Sequence, residues 1–318
     1  MYVMEFNIII GTFKVNSLIS CEIIKSVDSL SDIAKLALPG MAYGKTLNVD
    51  NKIRRGDLIT IELGYKGHLK KEFEGYVTSI TNDNTIVIEA EDSMYLTRKE
   101  VKSKRYANVD ATDVIKDIVD QLEGVGLVLG DGVDILKYDT FTVADATGLE
   151  VLKKIQEETN LHIFMKGATL HVYLQYTYKS GDVVFDFSQN VEKSNLTYVY
   201  EADKKVLVEV IGMTRENKKT IVKVGEAGGD KITIHRYNVS DEAALKVIGE
   251  EEIIKHRYSG YEGTIDTWLL PYCTYGFSAR IIDNDFPNQE GIYYITSSAI
   301  RFSKEGGVRK LGLGLKVG

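Results

Sequence analysis

The sequence is poor in cysteine, proline and tryptophan, with two, three and one of them in 318 residues. Two cysteines, Cys21 and Cys273, make neither a disulfide framework nor a metal signature, and two reduced thiols are expected. No apolar run approaches the ~20 residues of a membrane span, so no membrane segment is expected. The opening "MYVMEFNIII" lacks a basic region and a small-residue cleavage site, so no signal peptide is expected either. Positive charge is outnumbered by negative, 39 Lys and Arg against 46 Asp and Glu. The net charge of −7 disfavours a phosphate-gripping surface, which needs clustered Lys and Arg, and direct nucleic-acid binding is not expected. No Gly-x-Ser-x-Gly elbow, Cys-His pair or phosphate loop is present. "GVGLVLG" (124–130) has the wrong spacing for a dinucleotide fingerprint and follows a helical pattern instead of a strand.

What is present is β-strand material. Nineteen tyrosines stand among Val, Ile and Thr, the composition of half-exposed strands. The length suggests two or three domains. Residues 1–105 read as strands: "FNIIIGTFKV", "SCEIIKSV", "DIAKLALP", "LITIEL", "EFEGYVTSI" and "IVIEAED". In "DIAKLALP", Ala34, Leu36 and Leu38 alternate with Lys35 and Ala37, which favours a strand over a short helix ended by Pro39. "GYKGHLK" forms a hairpin turn, and "TNDNT" (81–85) a polar one.

Residues 106–180 read as an α+β insert. Asp110 opens a helix with Val114, Ile118 and Leu122 on one stripe, and Gly124 is its expected stop. Thr147 and Glu150 have capping-box spacing before a second helix that buries Leu149, Leu152 and Ile155. A hairpin with Gly167 in its turn follows at 161–174. Residues 181–318 return to β. Strands are expected in "LTYVYE", "KVLVEVIGMT", "KTIVKVG" and "KITIHRY", then a helix over 241–256 capped by Ser240. That helix turns Ala244, Leu245, Ile248 and Ile253 inward and is weakened at Gly249 by ~1 kcal/mol.

The chain then echoes itself. "NQEGIYYITSSAI" (288–300) resembles "EFEGYVTSITN" (72–82): an acid-glycine step, then an apolar strand with tyrosine ending in Thr-Ser. Each follows a glycine-led strand, "GFSARIID" or "GDLITIEL", and precedes another strand, "RKLGLGLKV" or "TIVIEAED". Three strands repeated in order predict a β-module used twice. The expected class is α+β, mainly β: two similar β-barrel modules separated by the insert and a β-rich region with one helix.

The order of these elements carries a family resemblance. "RRGDLITIELGYKGHLKKEFEGYVTSI", then "YANVDATDVIKDIVDQLEG", then "YDTFTVADATGLEVLKKIQEETNLHIFMKGATLHVYL" resembles the baseplate hub of contractile phage tails. That family includes the late control protein D of phages and the hub part of the type VI secretion spike. Tyr106 and Asn108 before the first helix, Tyr138 and Phe141 before the second, and Glu157, Glu158 and Asn160 before Leu161 fit its pattern. The resemblance covers about residues 53–175, and the C-terminal module by pattern only. It implies a non-enzymatic homotrimer whose paired barrels give six quasi-equivalent positions. Such a ring would match a six-fold tail tube to a three-fold spike. Implied partners are further copies of the chain, the spike, the tube and other baseplate proteins. The implied location is the bacterial cytoplasm during assembly, then a virion or injection-machine baseplate. The sequence ends at Gly318, so it resembles a hub without a fused spike. Two rivals are a tail-associated cell-wall hydrolase and a host-glycan-binding tail-tip protein.

The candidate contact residues are Arg54 and Arg55 in "KIRR", and Lys102, Lys104 and Arg105 in "KSKR". In an acidic chain these suit an acidic neighbour. Trp268, Tyr272 and Tyr275 in "TWLLPYCTYGF" suit either core or subunit interface, with Leu269 and Leu270 expected in the core. Asp283-Asn284-Asp285 could hold calcium, but Phe286-Pro287 stand where further oxygen ligands belong, so a solvated turn is expected there, and likewise for Asp131 and Asp134. Glu157 and Glu158 are about 100° apart on a helix and cannot face one another as a catalytic pair. His162 and His171 could meet across their hairpin, but two ligands without a third make no zinc site. No catalytic residue, cofactor or metal is expected.

Overall fold

The computed structural model describes residues 3–42, 45–46, 52–82, 85–133, 137–214 and 218–317. The centre of the expected turn at 81–85 and Asp134 lie outside these residues. The first strands are β1 (Met4–Ile10), β2 (Phe13–Lys14), β3 (Ser20–Ser26), β4 (Ile33–Pro39), β5 (Met41–Ala42), β6 (Lys45–Thr46), β7 (Leu58–Tyr65), β8 (His68–Asn82) and β9 (Thr85–Glu91). A mixed block follows: β10 (Lys104–Asp110), α1 (Ala111–Val119), β11 (Gly126–Leu129), β12 (Lys137–Val143), α2 (Gly148–Thr159), β13 (His162–Lys166) and β14 (Thr169–Tyr173). The remainder comprises β15 (Gly181–Asp186), β16 (Lys193–Val199), β17 (Val206–Met213), β18 (Lys219–Gly225), β19 (Asp230–Tyr237), α3 (Glu242–His256), β20 (Gly260–Trp268), β21 (Phe277–Ile282), β22 (Gly291–Ser303) and β23 (Gly306–Lys316). The fold is mainly β, as expected.

Strand formation follows alternation. In β4, Ala34, Leu36 and Leu38 are buried while Ile33 and Lys35 face out, and in β9 Ile86, Ile88 and Ala90 do the same. Each fully buried Ile or Leu contributes roughly 1.5–3 kcal/mol. The inward side chains of this first group form one core with Ile8, Ile10, Ile23, Ile59, Ile61 and Val77, completed by Leu269, Ile300 and Phe302 from the far end of the chain.

The pairing path runs twice through the same order. In the first group β7 pairs β8, β8 pairs β9, β9 pairs β4 and β4 pairs β3, all antiparallel. In the second β21 pairs β22, β22 pairs β23, β23 pairs β20 and β20 pairs β16, again all antiparallel. The middle strand of each carries a bulge at its Thr-Ser step, where one extra residue opposes the partner. The Thr78 hydroxyl donates to the Glu89 carbonyl at 3.1 Å, and the Thr296 hydroxyl to the Gly312 carbonyl at 3.3 Å. Glu89 is the ladder partner of Ser79 and Gly312 that of Ser297, so the sequence echo marks a shared backbone device. The outer flanks differ: β1 meets β7 antiparallel, whereas β15 meets β21 parallel. Ser297–Ser303 of β22 also pairs with β3, fusing both groups into one 13-stranded sheet. No ladder among the described residues closes either group on itself.

The helices cover two small sheets, β11–β14–β13 and β18–β17–β19, and all share one core. Strands β17–β19 and helix α3, although they fall within the 181–318 stretch, pack into the same core as α1 and α2. The capping box of α2 is formed: Thr147 accepts from the Glu150 amide, and Glu150 from that of Thr147. Three local expectations change. Helix α1 ends at Val119, where i→i+3 bonds tighten the chain and keep Leu122 buried; Gly124 takes φ +78° in the turn beyond. Asp241, not Ser240, caps α3, because the Ser240 hydroxyl donates to Asp139 at 2.9 Å. Gly249 is less a defect than a contact point. A Cβ there would lie 2.8 Å from Val224 Cγ2, so the glycine lets α3 sit on its sheet.

Candidate functional site

The chain brings its expected contact residues to different places. Arg54 and Arg55 are exposed on the loop into β7, where the Arg54 amide donates to the Asp57 carboxylate at 2.7 Å. Lys102, Lys104 and Arg105 are exposed at the entry to β10. Lys104 is engaged within the chain, 3.0 Å from Asp117 and above the Tyr106 ring. The Tyr106 hydroxyl and Lys104 hold the Asp117 carboxyl below the usual range. Among the described residues no hydrogen bond or ion pair links the two basic groups. Tyr275 is buried, edge-on to Phe164 at 5.3 Å, and so belongs to the core. Tyr272 is half-buried beside the Arg309 guanidinium. Trp268 is 45% exposed at the end of β20, and Leu269 is buried beside it.

Trp268 opens onto a groove of about 940 Å³. Its walls are Val3, Met4 and Phe6 of the β1 region, Tyr65 of β7, and Leu270 and Phe302; Glu192, Lys304 and Glu305 lie on its lining as well. The groove follows the seam between the two strand groups. The β22–β23 turn packs onto β1 so closely that a Cβ on Gly307 would lie 2.6 Å from Met4 Cε.

Beneath the seam lies an ion pair that alternation alone does not reveal. Arg309 of β23 and Glu72 of β8 are 0% and 1% exposed. Arg309 donates to both Glu72 carboxylate oxygens, at 2.7 and 3.3 Å, and to the Cys273 carbonyl at 2.8 Å. Burial opposes the guanidinium charge, but the Glu72 carboxylate outweighs it and raises the Arg309 pKa. The pair rivets one strand group to the other. A signal for half of it exists in the sequence: Arg309 stands in phase with inward Leu311 and Leu313. Glu72 carries no such signal, because it is the extra residue of a bulge between the Ile61–Phe73 and Glu62–Lys71 pairs.

A buried pair of acids was also silent in the sequence. Asp32 and Asp92 are both buried, and the Asp92 carboxylate accepts from the Asp32 amide at 3.0 Å and the Met94 amide at 2.9 Å. Burial pushes Asp32 up to about 7, and burial with the neighbouring Asp32 charge pushes Asp92 up as well.

The other polar candidates resolve individually. Asp283 is buried, not solvated, and accepts from the Tyr261 hydroxyl and the Asp285 and Phe286 amides. Glu157 is exposed beside Lys153, whereas Glu158 is partly buried, which raises its carboxyl. The ladder sets His162 opposite Tyr173 and His171 opposite Phe164, so the two histidines are not cross-strand partners. His162 instead lies 3.4 Å from Asp28, and His171 stacks on Phe164. Among the described residues no three His, Cys, Asp or Glu side chains group to hold a metal. Cys21 and Cys273 are free and buried. No helix among the described residues is long and apolar enough to cross a membrane.

This combination of a 13-stranded sheet with a mixed helical block is the fold of phage tail proteins. The 43 kDa tail protein of prophage MuSo2 from Shewanella oneidensis superposes with a TM-score of 0.67 at 14% identity, over 98% of this chain and 97% of that one. The tail protein of Neisseria meningitidis MC58 gives 0.69 at 13% identity, over 98% and 97%. An E. coli component of the type VI secretion system, itself described as similar to T4 tail proteins gp27 and gp5, gives 0.62 at 9% identity over 98% and 77%. No family model matches the sequence. No curated protein matches it. At these identities the likeness is one of fold.

Proposed function

We propose that this chain is a structural hub subunit of a phage-like tail baseplate or related injection machine. Three copies would form a ring that seats a three-fold spike on a six-fold tail tube. The supporting observation is the pairing path followed twice within one chain, down to the matching Thr78 and Thr296 bulges. Two like modules per chain turn three subunits into six similar positions, which is what joining a threefold to a sixfold structure requires. In this reading the modules are 1–105 and, within 181–318, the strands β15, β16 and β20–β23, with 106–180 as the insert. Among the described residues the sheet ends at β2, β15 and β16, and these are the strands that ring closure would protect. Trp268 and Tyr272, with the basic loops at Arg54–Arg55 and Lys102–Arg105, would face the neighbouring copy, the tube, the spike or other baseplate proteins. Assembly would take place in the bacterial cytoplasm before incorporation into a virion or injection machine. The role is non-enzymatic.

Mass photometry of the chain, alone and with its spike and tube proteins, tests the reading. Imaging down the symmetry axis should show a threefold ring with an open centre. A species that stays at one chain's 35.6 kDa in every mixture overturns the ring. Clearing of a peptidoglycan suspension that is lost on carboxylate replacement overturns the non-enzymatic role.

A further inference from the structure

The leading hairpins of the two strand groups differ in their connection. The β7–β8 hairpin turns through Lys66-Gly67 alone, whereas β21 and β22 are joined by the long loop 283–290. Both hairpins are antiparallel, so the pairing path does not need the extra length. Added loop length on a rigid scaffold is where binding chemistry concentrates.

The loop is held firmly from below. Buried Asp283 accepts from the Tyr261 hydroxyl and from the Asp285 and Phe286 amides, the latter two at 3.1 Å. The Tyr293 hydroxyl donates to the Gln289 carbonyl at 2.8 Å, and Lys316 Nζ donates to the Glu290 carbonyl at 2.6 Å. Phe286 is nevertheless turned out and 58% exposed. Facing it across a cleft of about 230 Å³ are Tyr198 and Tyr200, the latter 53% exposed. These rings are also fixed: Tyr198 meets Tyr200 edge-on at 5.0 Å and Tyr261 at 5.3 Å. Pro287 and the polar Asp285, Asn288 and Gln289 complete the lining. The side chains of these three polar residues and the two phenol hydroxyls make no hydrogen bond or ion pair within the described chain.

We propose that this cleft binds one neutral pyranose unit of a glycan. Rigid aromatic walls suit the apolar C–H face of a sugar ring. A carboxylate, two amides and two phenols supply the mixed donors and acceptors that adjacent hydroxyls need. No Lys or Arg lines the cleft, so a phosphate or other anion has no counter-charge there. The space is below the ~300–1,000 Å³ of drug-sized ligand pockets and suits a single ring. At about 230 Å³ it is too small for an extended proline-rich peptide, which needs several pockets along a groove. The inference does not depend on the hub reading.

Saturation-transfer NMR on the full chain, with the methyl glycosides of glucose, galactose, rhamnose and N-acetylglucosamine as probes, tests it. At least one glycoside should bind, and Tyr200→Ala and Phe286→Ala should each weaken that binding about tenfold. Tyr237→Ala, at an exposed ring on β19, should leave it unchanged. If a ring truncation disturbs the fold, Asp285→Ala provides the same reading at an exposed loop carboxylate. Absence of transfer from all four probes, or binding undiminished in the cleft variants, overturns the proposal. So does decaproline binding at this cleft in place of the sugars.

Discussion

Replacing Arg309 with methionine should be among the most damaging single changes in the chain. The guanidinium is fully buried and answers both oxygens of an equally buried Glu72. Methionine fills much of the space but leaves a carboxylate without a counter-charge and the Cys273 carbonyl without a donor. Breaking a buried pair from one side costs ~3–5 kcal/mol, because the orphaned ion has lost its water and has gained no partner. For a chain of this length that is roughly 5–7 °C off the thermal midpoint, if the seam melts with the rest. Glu72→Met should cost about as much. The informative variant is the double one, Glu72→Met with Arg309→Met. An apolar pair of similar volume removes both desolvation penalties, so it should be more stable than either single variant. It should still fall short of the parent by ~1 kcal/mol for the stranded carbonyl. Urea and thermal unfolding of the four proteins close the cycle. Single variants costing under 1 kcal/mol, or a double variant as unstable as the two costs added, would refute the argument.

Three other outcomes follow from local geometry. Asp32 and Asp92 have folded pKa values raised above the unfolded ~4, Asp32 to about 7. The native state therefore holds more protons than the unfolded one across that interval. Their stabilising contribution is full below pH ~4 and is lost as pH rises through about 7; urea midpoints from pH 4 to 8 should show the fall, and Asp92→Asn should flatten it. Thr147→Ala removes the capping hydroxyl of α2 and should cost ~1 kcal/mol in the same unfolding assay. Gly249→Ala, which helix propensity alone would favour by ~1 kcal/mol, should instead destabilise by ~1–2 kcal/mol, because its Cβ meets the stiff Val224 side chain; a gain in midpoint would show that α3 can shift away from its sheet.

What could be read from the sequence was local and periodic. The alternation in Ala34, Leu36 and Leu38, the Thr147–Glu150 box and the Gly167 turn each depend on neighbours a few residues away. The echo of three strands was legible for the same reason, and its physical content is a pair of equivalent bulges. Pairings between distant segments were not legible. The runs around Tyr106 and Phe141 were read as lead-ins to helices, yet they pair as β10 and β12. "GVGLVLG" was weighed only as a cofactor fingerprint, yet β11 within it joins β14 in parallel. Ser240 and Asp241 are both competent caps, and only the distant Asp139 decides between them. Of the aromatic candidate contact residues, which suited either core or interface on sequence alone, Trp268 lines an open groove, while Tyr275 faces inward because Phe164 waits for it from another segment. Glu72 escaped because a bulge reverses the facing that alternation assigns.

Because β22 gives its latter half to β3 while still hydrogen-bonded to β23, the polypeptide has no clean point of scission between its two ends. A fragment ending near residue 180 would carry Ser20–Ser26 as a bare border. The complementary fragment would carry the matching border on Ser297–Ser303. Expressed apart, each piece is a template for pairing with whatever strand it meets. Expressed together, they hold the register needed to rejoin without a peptide bond between them.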